Sequence, residues 1–149
     1  MSVKIKLYEL CVAFVEQRIA SSQKAIEHAQ LAANEETKSS AGDKYETGRA
    51  MMQLEIEKQS VQLAEAMKLK HVLSQINPEK TTETIQSGSL VFTDQGNFYI
   101  SISAGKLDLE GMTYFAVSPV SPIGALLIGK KSGDTILLNG KTFTIRKIE

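Results

Sequence analysis

From Ile5 onward, apolar or small residues recur at Ile5, Tyr8, Val12, Val15, Ile19, Ser22, Ile26, Ala29 and Ala33, in alternating steps of three and four. Steps of that kind trace a heptad seam along one face of a helix. After an interruption the spacing resumes at Met52, Ile56, Gln59, Leu63, Ala66, Lys70 and Leu73, while Glu, Lys and Gln dominate the other faces. The first Pro is Pro78, and before it the only glycines are Gly42 and Gly48, both in or beside the interruption SSAGDKYETG. The pattern predicts an antiparallel helical hairpin over residues 1–76 with its tip near 37–48. Each arm has roughly 30 residues, so at about 1.5 Å per residue it reaches about 45 Å, longer than a compact domain of this size requires.

Beyond Asn77-Pro78 the period changes. Residues 77–87 are polar and read as a linker, and from 88 to 149 β-branched and aromatic residues alternate in short runs. The predicted strands are Ser89 to Thr93, Asn97 to Ile102, Met112 to Ser118, Asp134 to Leu138 and Lys141 to Ile148. Asn139-Gly140 between the last two is a two-residue hairpin signal, because a type I′ turn requires positive φ at both positions. One short helix is expected after Ser121, which can cap it, with Pro122 at its first position. The fold class is therefore α+β, a helical hairpin followed by a small sheet curled around one helix, with Phe92, Phe98, Tyr99, Tyr114, Phe115 and Phe143 expected in its core.

Composition narrows the possible partners. The 149 residues carry 17 basic and 17 acidic side chains, ten of each up to Ile76 and seven of each after it. Neither half is a polycation, so independent DNA or RNA binding by bulk charge is not expected. The single cysteine, Cys11, sits in the helical apolar pattern with no second Cys, and is expected as a buried thiol in a reducing compartment. Charges interrupt the apolar residues of MSVKIKLYEL, which has neither a signal-peptide core nor a membrane span. A cytoplasmic protein follows as the expectation. His28 and His71 lie on separate arms without ligands at metal-binding spacing, so no cofactor is expected in the free protein.

Two carboxylates stand out at the tip. Asp43 and Glu46, three apart at the start of the second helix, fit a capping box, with Asp43 accepting from the helix's first amides and Glu46 reaching back. A turn does not need both acids, and a capping carboxylate retains lone pairs for a cation, so the two roles are compatible. Glu35 and Glu36 fit a solvated face. Lys38, Lys44 and Arg49 can be solvated residues or contacts to phosphates or acidic walls. Tyr45 can be an exposed turn residue or stack on a base.

The run SPIGALLIGKKSGD, Ser121 to Asp134, resembles the C-terminal domain of the Gre transcript-cleavage factors of bacterial RNA polymerase. Ser121, Pro122, Ile123, Gly124, Leu127, Ile128, Gly129, Lys130, Gly133 and Asp134 stand where that pattern has them; Ala125 replaces a usual basic residue. The family also has an antiparallel coiled coil whose tip carries Gly-Asp-x-x-Glu, matched here by Gly42, Asp43 and Glu46. Lys44-Tyr45 replaces the usual Leu-Ser, and Thr47 the usual Asn. The resemblance implies an FKBP-like domain at 88–149 and a transcription elongation factor, not itself an enzyme. Its coiled-coil tip would enter the polymerase's secondary channel and stimulate cleavage of backtracked RNA. Asp43 and Glu46 would be donated to the polymerase active site, sharing its Mg²⁺ near the nascent RNA 3′ end. Ser121, Pro122, Ile123, Gly129, Lys130, Gly133 and Asp134 would hold the polymerase. Two-metal hydrolysis uses ions about 4 Å apart, and Mg²⁺ takes one or two carboxylates with several waters. The departures at the tip leave open a Gre-like regulator that occupies the channel without promoting cleavage. A peptidyl-prolyl isomerase would need an aromatic-lined cavity from a domain without Trp, and fold likeness does not carry activity. A coiled-coil adaptor would explain the heptads and leave SPIGALLIGKKSGD unexplained.

Overall fold

The computed structural model describes residues 2–39 and 43–149, and the side chains outside 36–45. Helix α1 spans Val3–Ser39 and α2 Asp43–Ser74. Ser2 starts α1 by accepting from the Ile5 amide at 3.2 Å, which satisfies one of the donors left over at a helix N-terminus. The arms run antiparallel. Glu16 pairs with Lys70 at 3.3 Å, and the Tyr8 hydroxyl donates to the Leu73 carbonyl at 2.8 Å. That carbonyl belongs to the last turn of α2, where no amide of the helix proper is left to reach it; the Ile76 amide also donates to it at 3.1 Å as the chain tightens toward Asn77.

The chain divides into two compact units, Val15–Lys70 and a second made of Met1–Phe14 with His71–Glu149. In the helical unit the seam of α1 is buried at Val15, Ile19, Ser22 and Ala29, and that of α2 at Ala66. Met52, Ile56, Gln59 and Leu63 are half-buried. The small residues at Ser22, Ala29 and Ala66 fit a close approach of helices better than branched side chains would. Lys70, expected in the seam, is exposed and makes the ion pair with Glu16, and Leu69 is half-buried instead.

The larger unit is built on a six-stranded sheet of order β3-β4-β2-β1-β6-β5. The strands are β1 (Leu90–Thr93), β2 (Gly96–Ile100), β3 (Gly105–Leu109), β4 (Met112–Val117), β5 (Thr135–Leu138) and β6 (Lys141–Ile148), with α3 (Pro122–Leu127) between β4 and β5. Four neighbouring pairs are antiparallel; β2 and β4 are parallel. The mixed α+β architecture expected from the sequence is present. Asn139 and Gly140 have φ of 51° and 77°, as the β5–β6 hairpin required. Strand β3 was not among the expected strands.

Alternation along each strand gives the sheet two faces. Phe98 and Ile100 of β2 join Val91, Ile136, Phe143 and Ile145 in one cluster, covered by Leu127 of α3 and joined by Ile85. Ile85 comes from the stretch expected as a linker, and hydrogen bonds from its amide to the Lys130 carbonyl (2.9 Å) and to its carbonyl from Gly129 (2.8 Å) fix it there. Tyr99 points the other way, with its cross-strand partners Leu90 and Ala116. On that side Cys11 lies 3.6 Å from the Ser101 hydroxyl, Lys6 pairs with Glu110, and Lys4 donates to the Lys80 carbonyl. The first turns of α1 thus cover the sheet face opposite α3. The six aromatics expected in one core are divided: Phe98 and Phe143 are in the α3 cluster, Tyr99 and Tyr114 are buried on the other face, Phe92 is half-buried, and Phe115 is exposed.

Burial sets the chemistry of this face. The Cys11 thiol is buried, as expected, and desolvation raises its pKa against a smaller opposing effect of the Ser101 hydrogen bond. It is held as an inert thiol. Lys4 is buried, and desolvation lowers its pKa while the charge of Glu149 works in the opposite direction. The buried Tyr99 phenol is raised, first by desolvation and then by Cys11 and Tyr8; its hydroxyl has no hydrogen-bond partner among the described residues.

Candidate functional site

Asp43 is the first residue of α2. Its side chain lies outside the described residues, as do Gly42, the side chains of Glu36, Lys38, Lys44 and Tyr45, and with them the expected capping bond of Asp43. Glu46 is described, and it is exposed in the first turn of the helix. Positions three apart on a helix are surface neighbours, so positions 43 and 46 share one side of that turn. A helix N-terminus also favours negative charge, which suits acids at these two positions better than a C-terminus would. Glu35 is exposed near the opposite end of its own helix. Oxygen donors of this kind suit a hard divalent cation, and two of them leave most of its coordination sphere to other groups.

In the C-terminal motif, nearly every residue has a structural task. The Ser121 hydroxyl accepts from the Gly124 amide at 3.1 Å and donates to the Ser118 carbonyl at 2.6 Å, so it caps α3 and closes the turn before it. Pro122 occupies the first helical turn, where its missing amide costs nothing. A Cβ on Gly124 would stand 2.0 Å from the Ser118 carbonyl oxygen, so only glycine fits. Ile123 is half-buried against the α3 cluster. Gly129 has φ of 82°, which lets the chain reverse after α3 and pair with Ile85. Asp134 accepts from the Lys131 amide at 2.8 Å, closing a turn in which Gly133 has φ of 93°.

The motif leaves Pro122, Ala125, Leu126, Lys131, Ser132 and Asp134 exposed, with Lys130 half-exposed. Just before it, Val120 is 89% exposed, on a loop that the motif's own residues hold in place. Phe115, on β4, is exposed as well and packs its ring 6.0 Å from that of Phe98. Phe115, expected in the core, is exposed instead, as are the apolar Val120 and Leu126. The signal for Val120 was present: a branched apolar residue between Pro119 and Ser121 lies outside any strand or helix period. A surface for a partner in this region would be made by Val120, Pro122 and Leu126, with Ser121, Gly129, Gly133 and Asp134 shaping the backbone that presents them.

His28 and His71 are exposed. Among the described residues no group of three or more His, Cys, Asp or Glu side chains could hold a metal ion, and no helix is long and apolar enough to cross a membrane. No family model matches the chain, and neither a curated protein nor a solved structure matches it.

Proposed function

We propose that this protein is a secondary-channel factor of bacterial RNA polymerase that stimulates hydrolysis of backtracked RNA. The observation that carries the reading is the combination in one chain of SPIGALLIGKKSGD with a helical hairpin whose second arm begins at Asp43. Asp43 and Glu46 then sit where a Gre-like tip needs its acids. In this reading the sheet and α3 form an FKBP-like domain that holds the polymerase, and the hairpin delivers the tip to its active site in the cytoplasm.

The chain's own contribution to the chemistry is small and specific. A second Mg²⁺, when bound in the polymerase, would supply charge stabilisation at the scissile phosphate and help to activate water. Asp43 and Glu46 would supply two carboxylate oxygen donors for that ion from the start of α2. The surface near Val120 and Leu126 gives an apolar hold that orients the chain on its partner. Hydrolysis belongs to the polymerase, and the protein acts as an accessory factor.

One feature favours a second reading. Lys44-Tyr45 and Thr47 change the residues around the acids, and a tip so altered can occupy the channel without promoting cleavage. RNA cleavage by a stalled, backtracked polymerase from the same organism separates the two. The wild type is expected to accelerate cleavage. Asp43→Asn keeps most of the cap while removing the charge, and it and Glu46→Gln should each lower stimulation at least about tenfold, equivalent to about 1.4 kcal/mol of barrier. Polymerase binding should survive both changes. Full stimulation by the two variants would reduce the acids to capping residues, and polymerase binding without stimulation by the wild type would establish the regulator.

A further inference from the structure

A cleft of 530 Å³ opens in the sheet unit between the end of β6, the turn at Lys131 and Ser132, and the segment Thr81 to Glu83. Strand β5 pairs with β6 only from Lys141 to Thr144, so the second half of β6 has no strand on that side. The walls are nevertheless tied together. Thr84 bridges to Lys131, the Ser132 hydroxyl donates to the Arg146 carbonyl at 2.9 Å, and the Gly133 amide donates to the Ile145 carbonyl at 2.7 Å.

A bulge in β6 determines what lines this cleft. Phe92 pairs with Lys147 but the next residue, Thr93, pairs with Ile145, so Arg146 is an extra residue with no partner on β1. Ile145 and Ile148 both pack on the α3 side of the sheet although they are three apart. The two residues between them, Arg146 and Lys147, therefore lose the usual alternation and both line the cleft. Lys131 is a third cation there, facing a single acid, Glu83. With Glu149 paired to Lys147, this leaves a local excess of one positive charge in a chain of zero net charge. Lys147 is held 5.6 Å over the Phe92 ring and 3.7 Å from Glu149. Lys131 and Arg146 have no ion-pair partner among the described residues. Hydroxyls of Thr81, Thr82 and Ser132 and an apolar surface at Ile148 complete the lining.

We infer that the cleft binds a small phosphorylated ligand of nucleotide size. Arg presents a planar fork of donors that matches phosphate oxygens, and Lys adds point charge. The Thr81 hydroxyl can donate to a remaining oxygen, while those of Thr82 and Ser132 already donate to the Thr84 and Arg146 carbonyls and hold the walls, and Ile148 with the aliphatic stems offers a surface for a sugar or base. The volume lies within the range of small-ligand sites, about 300–1,000 Å³. None of this uses Asp43 or Glu46, so the site stands whether or not the polymerase reading does.

Titration of the full-length protein at low salt, followed by calorimetry and by backbone amide shifts, tests the inference with ATP, tripolyphosphate and a short RNA carrying 5′-hydroxyl and 3′-hydroxyl ends. ATP is expected to bind once per chain, with shifts at Lys131 to Gly133, Arg146, Lys147 and Thr81 to Glu83. Tripolyphosphate should bind more weakly at the same amides. Lys131→Gln with Arg146→Gln should weaken ATP at least tenfold, and Glu83→Gln should tighten it several-fold by removing the opposing charge. These residues are exposed, and an unchanged amide spectrum away from the cleft will show that the variants fold. Absence of binding at about 5 mM ATP would overturn the inference. So would shifts elsewhere, an unchanged affinity in the double variant, or tighter binding of the RNA than of ATP.

Discussion

Gly124 and Gly129 are both glycines of one motif, and they are needed for different reasons. At Gly124 the obstacle is another backbone atom, the Ser118 carbonyl oxygen 2.0 Å from where a Cβ would be. Neither group can move without opening the turn that Ser121 closes. At Gly129 there is open space, and the constraint is the φ of 82°. Gly124→Ala should therefore cost about 3 kcal/mol or more, the upper range for forced overpacking, and Gly129→Ala about 1–2 kcal/mol, the cost of a left-handed conformation for an L-residue. Urea unfolding of the two variants checks the order, and equal losses would remove the distinction. Lys4 shows a different constraint. Burial lowers its folded pKa below the ordinary 10.5, so between the two values the unfolded chain binds more protons and stability rises with pH. Above 10.5 the amine is neutral in both states and the penalty is gone. Lys4→Met fills the same space without the charge. The stability difference between wild type and this variant should be flat below the folded pKa and shift toward the wild type as pH rises to 10.5, as read from urea midpoints at each pH; parallel curves would show that Lys4 keeps its charge at no cost.

Elements with a strong period were legible from residues alone, and elements made by context were not. The hairpin arms follow heptad steps that no Pro interrupts, the one helical glycine, Gly48 of α2, preceding the first step at Met52, and Asn139-Gly140 announces its turn. Strand β3 reads GKLDL, with two apolar residues only, and it lies at the sheet edge where Lys106 and Asp108 face solvent. Its turn to β4 uses Glu110-Gly111, with φ of 52° and 81°, the same geometry as Asn139-Gly140 without the side chain that signals it. Of the candidate site, the acids at the tip, the limits of the C-terminal motif and, from its place outside any period, Val120 could be read; the cleft at Arg146 could not. The cleft depends on a bulge and on segments about 60 residues apart in sequence, which no local pattern encodes. Helix α3 was legible because its start is chemical. It has six residues, too few to persist without outside help, and the Ser121 cap is a large share of that help. Ser121→Ala should lower stability by about 1 kcal/mol, with amide exchange accelerated first at Gly124 and Ala125. An unchanged exchange pattern there would mean that packing of Leu127 alone holds the helix.

At the scale of the whole chain, the sheet is completed from both ends of the sequence. Its α3 face has its own cover, since Leu127 and Ile85 arrive from segments next to the strands. Its other face presents Leu90, Tyr99, Ser101 and Ala116, all buried, and there the nearest groups include Cys11 and Tyr8 of α1. The compact unit accordingly includes Met1–Phe14 along with His71–Glu149, and the boundary expected at 76/77 falls inside it. A fragment cut at the polar stretch, residues 84–149, would keep every strand and lose that cover. Exposing side chains such as Leu90 and Tyr99 costs about 1.5–3 kcal/mol each, against a total stability of about 5–15 kcal/mol for a domain. The fragment should therefore show poor amide dispersion, bind a hydrophobic dye and melt without a cooperative transition. Joining Met1–Phe14 to His71–Glu149 through a short Gly/Ser segment restores Tyr8, Cys11, Leu73 and Ile76, and should restore a cooperative melt without residues 15–70. If residues 84–149 alone give a dispersed spectrum and a sharp melt, the helix ends are a covering the sheet does not need, and the two faces of the sheet are stabilised independently.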